Sequence, residues 1–202
     1  MERLPSSIRG GERSNAVALL HFHEQAEFLR ESSGSNIEKA LRKAVKVLAK
    51  SGIPHYVCGG YAVQEHGYPR FTQDVDLIVP NRALAEESLC ANGFDEGPGS
   101  VIDPETRVRI DLLPGGERFD LGPVALPLPT VVSAEPRILK LEDLISTKLS
   151  AYAGRGIHRA KDYADVVELI QANALPRQYG VAMDIRRLYE QIWDELHSRA
   201  TD

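Results

Sequence analysis

Apolar residues recur along this chain with two different periods, helical at both ends and strand-like in the middle. Leu19, Phe22, Ala26 and Leu29 fall on one stripe and predict a helix over 15–30, after a polar lead-in over 1–14. Ser32-Ser33-Gly34 ends it. Ser35-Asn36-Ile37-Glu38 has the form of a capping box, in which the Ser and Glu side chains satisfy the first free amides of a helix. Ile37, Leu41, Ala44, Val45 and Leu48 then follow at helical spacing, with Gly52 as the stop.

From His55 the period changes. His55-Tyr56-Val57-Cys58 predicts a short strand ending at Gly59-Gly60, with a short helix through Tyr61-Ala62-Val63 and a turn at Gly67-Tyr68-Pro69. Phe71 to Val79 alternates as a second strand, with Val75, Leu77 and Val79 on one face. Pro80-Asn81 opens a helix over 82–91, the stretch 92–105 is turn-rich, and Arg107 to Leu113 alternates again. Pro123, Pro127, Pro129 and Pro136 predict loops and short edge strands.

Beyond Leu139 the helical period returns. Leu141, Leu144, Ile145, Leu149 and Tyr152 form one stripe; Tyr163, Val166, Val167 and Ile170 form another; Ile185, Leu188, Tyr189, Ile192 and Leu196 form a third. The expected layout is a lead-in over 1–14, helices plus an α/β centre over 15–140, and a helical region over 141–202. Without internal repeats, this predicts an α/β (α+β) protein with a mixed central sheet and flanking helices.

Composition narrows the function classes. With 43% hydrophobic and 26% charged residues the chain builds an ordinary globular core. A formal charge of −5 disfavours a broad cationic surface for nucleic acid and leaves room for a phosphorylated ligand in a local pocket. Two cysteines, Cys58 and Cys90, make neither a disulfide framework nor a paired-cysteine metal site. The start lacks the pattern of a secretory signal and no apolar run matches a membrane helix, so a cytoplasmic protein is expected.

The candidate chemistry centres on Asp74-Val75-Asp76. Alternation puts both carboxylates on one face of the second strand, and the same rule puts Asp111, with Arg109, opposite the apolar Val108, Ile110 and Leu112. Three carboxylates from two strands would repel one another unless a cation holds them, and a hard divalent ion suits such an oxygen cluster. The plain alternative is that a D-x-D triplet is common by chance among twelve aspartates, with Asp76 paired to Arg70. Gly59-Gly60, at a strand-to-helix junction, lets backbone amides approach an anion, though any tight turn can use two glycines. Lys148 sits inside its helix's apolar stripe and must either snorkel or meet an anion. Lys161 and Asp165 have the spacing of a simple helical ion pair. No Gly-x-Ser-x-Gly, Gly-x-Gly-x-x-Gly or Walker pattern is present.

As an ordered set, Gly59-Gly60-Tyr61-Ala62-Val63 and His66 through Leu77, including Arg70, Thr72, Asp74 and Asp76, resemble the nucleotidyltransferase superfamily that includes DNA polymerase beta. The closer likeness is to bacterial AbiE toxin-type proteins. Arg109-Ile110-Asp111-Leu112-Leu113 is similar to that family's third-carboxylate strand. Leu141 through Lys148 and Arg159 through Asp165 resemble its C-terminal helical motifs. The likeness covers about residues 50–170; many relatives carry Gly-Ser where this chain has Gly59-Gly60.

The resemblance implies two Mg²⁺ ions, with Mn²⁺ as a substitute, on Asp74, Asp76 and Asp111, and transfer of a nucleoside monophosphate from an NTP such as ATP to an acceptor hydroxyl. Gly59, Gly60, Arg70, Thr72, Lys148 and Lys161 would then contact phosphates. The implied acceptor is tRNA, a protein or a small molecule, the last as in antibiotic nucleotidyltransferases, and an antitoxin partner fits the toxin type. A catalytically silent nucleotide- or partner-binding module of the same fold is the contrasting expectation.

Overall fold

Alternation of side chains along two central strands sets the layers of the protein. The computed structural model describes residues 36–198; the predicted lead-in over 1–14 and helix over 15–30 lie outside the described residues. In β2 (Asp74–Val79), Val75, Leu77 and Val79 are wholly buried on one face, which leaves Asp74, Asp76 and Ile78 for the other. In β5 (Arg109–Pro114), Ile110 and Leu112 share the first face, with Arg109, Asp111 and Leu113 opposite. β2 and β5 pair in parallel, and β1 (Tyr56–Cys58) adds antiparallel to the far side of β2. A hairpin of β3 (Asp95–Gly97) and β4 (Ser100–Ile102) completes a five-stranded mixed sheet of order β1-β2-β5-β4-β3.

Two apolar cores flank the sheet. On one face, α1 (36–50) packs Leu41, Ala44, Val45 and Leu48 onto Val57, Val75, Leu77 and Ile110, joined by Ala85 and Leu89 of α3 (Arg82–Ala91). Asn81 caps α3 by accepting from the Leu84 amide at 3.1 Å. On the other face, Ile78 and Ala62 and Val63 of α2 (Gly59–Glu65) share a core with Leu144, Ile145 and Leu149 of α4 (Leu141–Arg155). Val166, Leu169 and Ile170 of α5 (Ala160–Ala172) and Tyr189 and Ile192 of α6 (Arg186–Ser198) extend it. The described residues from Ile37 onward form one compact unit. Among the described residues, no helix is long and apolar enough to cross a membrane.

The boundaries depart from the predicted ones where tertiary pairing decides. Residues 92–105, expected to be turn-rich, contain the β3–β4 hairpin, closed by Pro98-Gly99 with Gly99 at φ +71°. Its strands are three residues each, too short for alternation to reveal, and β4 is held by pairing with β5. The second strand starts at Asp74, not Phe71: pairing with β5 begins at Asp74, while side-chain bonds from Gln64 Nε2 to the Arg70 carbonyl and from Thr72 to Asp74 hold the irregular segment before it. The proline-rich segment forms no edge strand; it contributes single bridges, Arg118 with Ala125 and Ile138 with Val57.

Candidate active site

Strand register brings the acidic side chains together. Cys58 stands opposite Asp76, Asp76 opposite Asp111, and Asp111 opposite Ser100, so one row crosses four strands. Asp74 lies two residues before Asp76 on the same face, directly beside Arg109. All four charged groups line one cleft of about 750 Å³ between the sheet and the C-terminal helices. Thr72 Oγ1 donates to Asp74 Oδ1 at 3.0 Å and orients that carboxylate.

Asp76 is the floor of the cleft. Burial first, then the charges of Asp74 and Asp111, push its pKa up to about 6, so near neutrality an ionised Asp76 is under-compensated. Burial also raises Asp111, with Asp74 adding to the rise and Arg109 opposing it. Gly59 holds the adjacent wall at φ +61°, and a Cβ there would overlap the Asp76 carboxylate. A Cβ on Gly60 would lie 2.5 Å from both Arg70 Nη2 and Thr72 Oγ1. The two glycines are thus needed for close approach, not merely for a turn.

A chain of alternating charges forms the opposite wall. Lys148 Nζ lies 2.9 Å from Asp162 Oδ1 and 2.6 Å from Asp165 Oδ2. Burial pulls the lysine's pKa down, but the two carboxylates outweigh it and hold it above the usual value. Arg70 Nε approaches Asp165 Oδ1 at 3.2 Å, and its Nη1 is buried without a hydrogen-bond partner among the described residues. Arg159 reaches Asp162 at 3.6 Å, pairs with Asp120 and covers the Phe119 ring at 5.2 Å. Arg70 therefore pairs with Asp165 and not Asp76, and Asp165 serves Lys148 and Arg70 in place of the helical pair with Lys161. Lys161 lines the cleft and is exposed.

Residues 40–198 match the nucleotidyl transferase AbiEii toxin family of type IV toxin–antitoxin systems. The chain belongs to that family. No curated protein matches it in sequence. Solved structures similar to this AbiEii-family chain include the antibiotic-resistance factor ANT(2″)-Ia, in a solution structure (12% identity, TM-score 0.48, covering 84% of this chain and 96% of that one). A crystal structure of ANT(2″)-Ia with adenylyl-2″-tobramycin is 14% identical, with TM-score 0.46 over 80% and 97% of the two chains. JHP933 from Helicobacter pylori is 16% identical, with TM-score 0.37 over 82% and 94%.

In this nucleotidyltransferase the donor set suits a hard divalent cation: three carboxylates on one sheet face, the middle one short of positive charge. They do not yet form a closed ligating set, since among the described residues no three acidic, His or Cys side chains stand grouped as a metal site. Arg109 Nη2 lies between two of them, 3.3 Å from Asp74 Oδ2 and 2.9 Å from Asp111 Oδ2. Sequence reasoning missed the cleft roles of Arg82, Asp162 and Arg159, all lining residues. Asp162 and Arg159 stood beside the named Lys161, but only the packing of α5 against α4 turns them to the cleft. Arg82 lies just after the acidic strand, at the start of α3, but belongs to no quoted motif; only the fold turns it towards the cleft.

Proposed function

We propose that the cleft transfers a nucleoside monophosphate from an NTP to an acceptor hydroxyl, with divalent metal ions held by Asp74, Asp76 and Asp111. The observation that carries this reading is the β2–β5 register, which sets Asp76 beside Asp111 under the Gly59-Gly60 wall. Mg²⁺ ions bound there would neutralise phosphate charge and acidify the acceptor hydroxyl.

The protein's own groups carry the rest. Arg70, with its unpaired buried Nη1, and the Gly60 backbone beside it suit a phosphate oxygen. Lys161 and Lys148, on the helical wall, would balance the charge of the departing pyrophosphate. Thr72 keeps Asp74 in position. Asp111 accepts the acceptor's proton as the new oxygen–phosphorus bond forms and the bond from the α-phosphorus to the bridging oxygen breaks. A cleft of about 750 Å³ is large enough for one nucleotide.

Membership of a type IV toxin–antitoxin family supports a toxin role with an antitoxin partner; the acceptor hydroxyl would belong to tRNA, a protein or a small molecule, in the cytoplasm. The test incubates the protein with each α-labelled NTP, Mg²⁺ and either total RNA or lysate. Label should move to one acceptor class, and Asp76→Asn should abolish transfer. Equal transfer by Asp76→Asn would remove the mechanism. Metal-dependent nucleotide binding without transfer to any acceptor would leave a silent binding module.

A further inference from the structure

The carboxylate face already contains one cation. Arg109 extends from the first position of β5, beside Asp74 in the register, and its Nη2 touches both Asp74 and Asp111, at 3.3 and 2.9 Å. These are two of the three groups assigned above to a divalent ion. A guanidinium and a hydrated divalent ion cannot share the same carboxylate oxygens, since their charges repel and their bonding directions differ. Arg109's side chain is 54% exposed, so it can leave without opening the core. Among the described residues, Arg109 pairs with Asp74 and Asp111 but not with Asp76.

We propose that Arg109 is a built-in counter-ion that competes with the divalent metal for Asp74 and Asp111. In the metal-free protein it relieves the repulsion between those carboxylates and prevents them from closing on an ion. Metal binding therefore requires the guanidinium to swing outward, and Arg109 sets the metal concentration at which the cleft becomes loaded. This rests on the metal-dependent reading above.

The experiment measures Mn²⁺ affinity without nucleotide, by calorimetry, for the wild type and for Arg109→Gln and Arg109→Lys. It also records thermal unfolding with and without Mn²⁺. Two partly exposed charge pairs imply about three- to tenfold tighter Mn²⁺ binding for Arg109→Gln, with Arg109→Lys in between. Without metal, Arg109→Gln should melt lower than the wild type; with saturating Mn²⁺ the gap should close, an outcome a purely structural role would not produce. Equal or weaker Mn²⁺ binding by Arg109→Gln overturns the competition. Asp76→Asn and Asp111→Asn separate the two readings: if they bind Mn²⁺ as tightly as the wild type, the metal is elsewhere and the metal-dependent function falls as well. If neither wild type nor Arg109→Gln binds Mn²⁺, both proposals fail together.

Discussion

Gly59 shows how narrowly the cleft is built, because a single methyl group there meets a carboxylate and adopts an unfavourable φ at once. Gly59→Ala should lower stability by about 1–3 kcal/mol in urea unfolding and displace Asp76, reducing transfer even in protein that remains folded. Two buried titrating groups act on stability with opposite sign. Burial first, and the Arg137 charge second, push His55 down to about 4, from an unfolded value of 6.5. The unfolded chain therefore binds the extra proton more readily, and stability falls as pH drops from 6.5 towards 4. His55→Leu should flatten that acid limb in a pH series of thermal melts. Asp76 has the reverse linkage: its folded value, about 6, lies above the unfolded 3.8, so its cost grows as pH rises through that window. Asp76→Asn should be more stable than the wild type at pH 7.5, by about 1–3 kcal/mol, and lose that advantage near pH 4.

The joint between α4 and α5 shows what an element's sequence can and cannot reveal. The stripe of Leu144, Ile145 and Leu149 identified the buried face of α4, and Lys148 stood out because it interrupted that face. Its spacing left two outcomes, snorkelling or an anion partner; the fold decides for the partner, because the turn over Gly156–Arg159 folds α5 back against α4 and brings Asp162 and Asp165 to it. Lys148→Met would leave two acids facing a cleft without their ammonium and should cost about 3–5 kcal/mol in urea unfolding, with Lys148→Arg costing less. β2 and β5 were legible for a related reason. Six residues of alternation suffice to assign two faces, whereas the three-residue β3 and β4 carry too few positions and depend on pairing with β5.

Across the whole molecule the two cores share one sheet, so the C-terminal helices are integral to it. Ile78, Ala62 and Val63 share one buried cluster with Leu144, Leu149 and Val166 of those helices. A truncation after Lys140 would expose that face; residues 1–140 alone should give no cooperative melt, while the full chain should unfold its α/β centre and C-terminal helices in one transition. Charge is also a whole-molecule property: the chain carries −5, yet six Lys or Arg line the cleft (Arg70, Arg82, Arg109, Lys148, Arg159, Lys161) against four Asp (Asp74, Asp76, Asp111, Asp162). Net charge alone therefore hid the cations gathered along the cleft, because composition averages over a surface that folding sorts into patches. Periodicity by itself determined the helices of the C-terminal half, the two central strands and the face on which Asp74, Asp76 and Asp111 sit, since alternation and helical repeat are local. The tertiary structure alone decided that Asp111 falls beside Asp76, that Lys148 meets Asp162 and Asp165, and that Arg109 bridges two of the acids. Those facts depend on strand register and helix packing, which join residues far apart in the chain and leave no periodic trace in it.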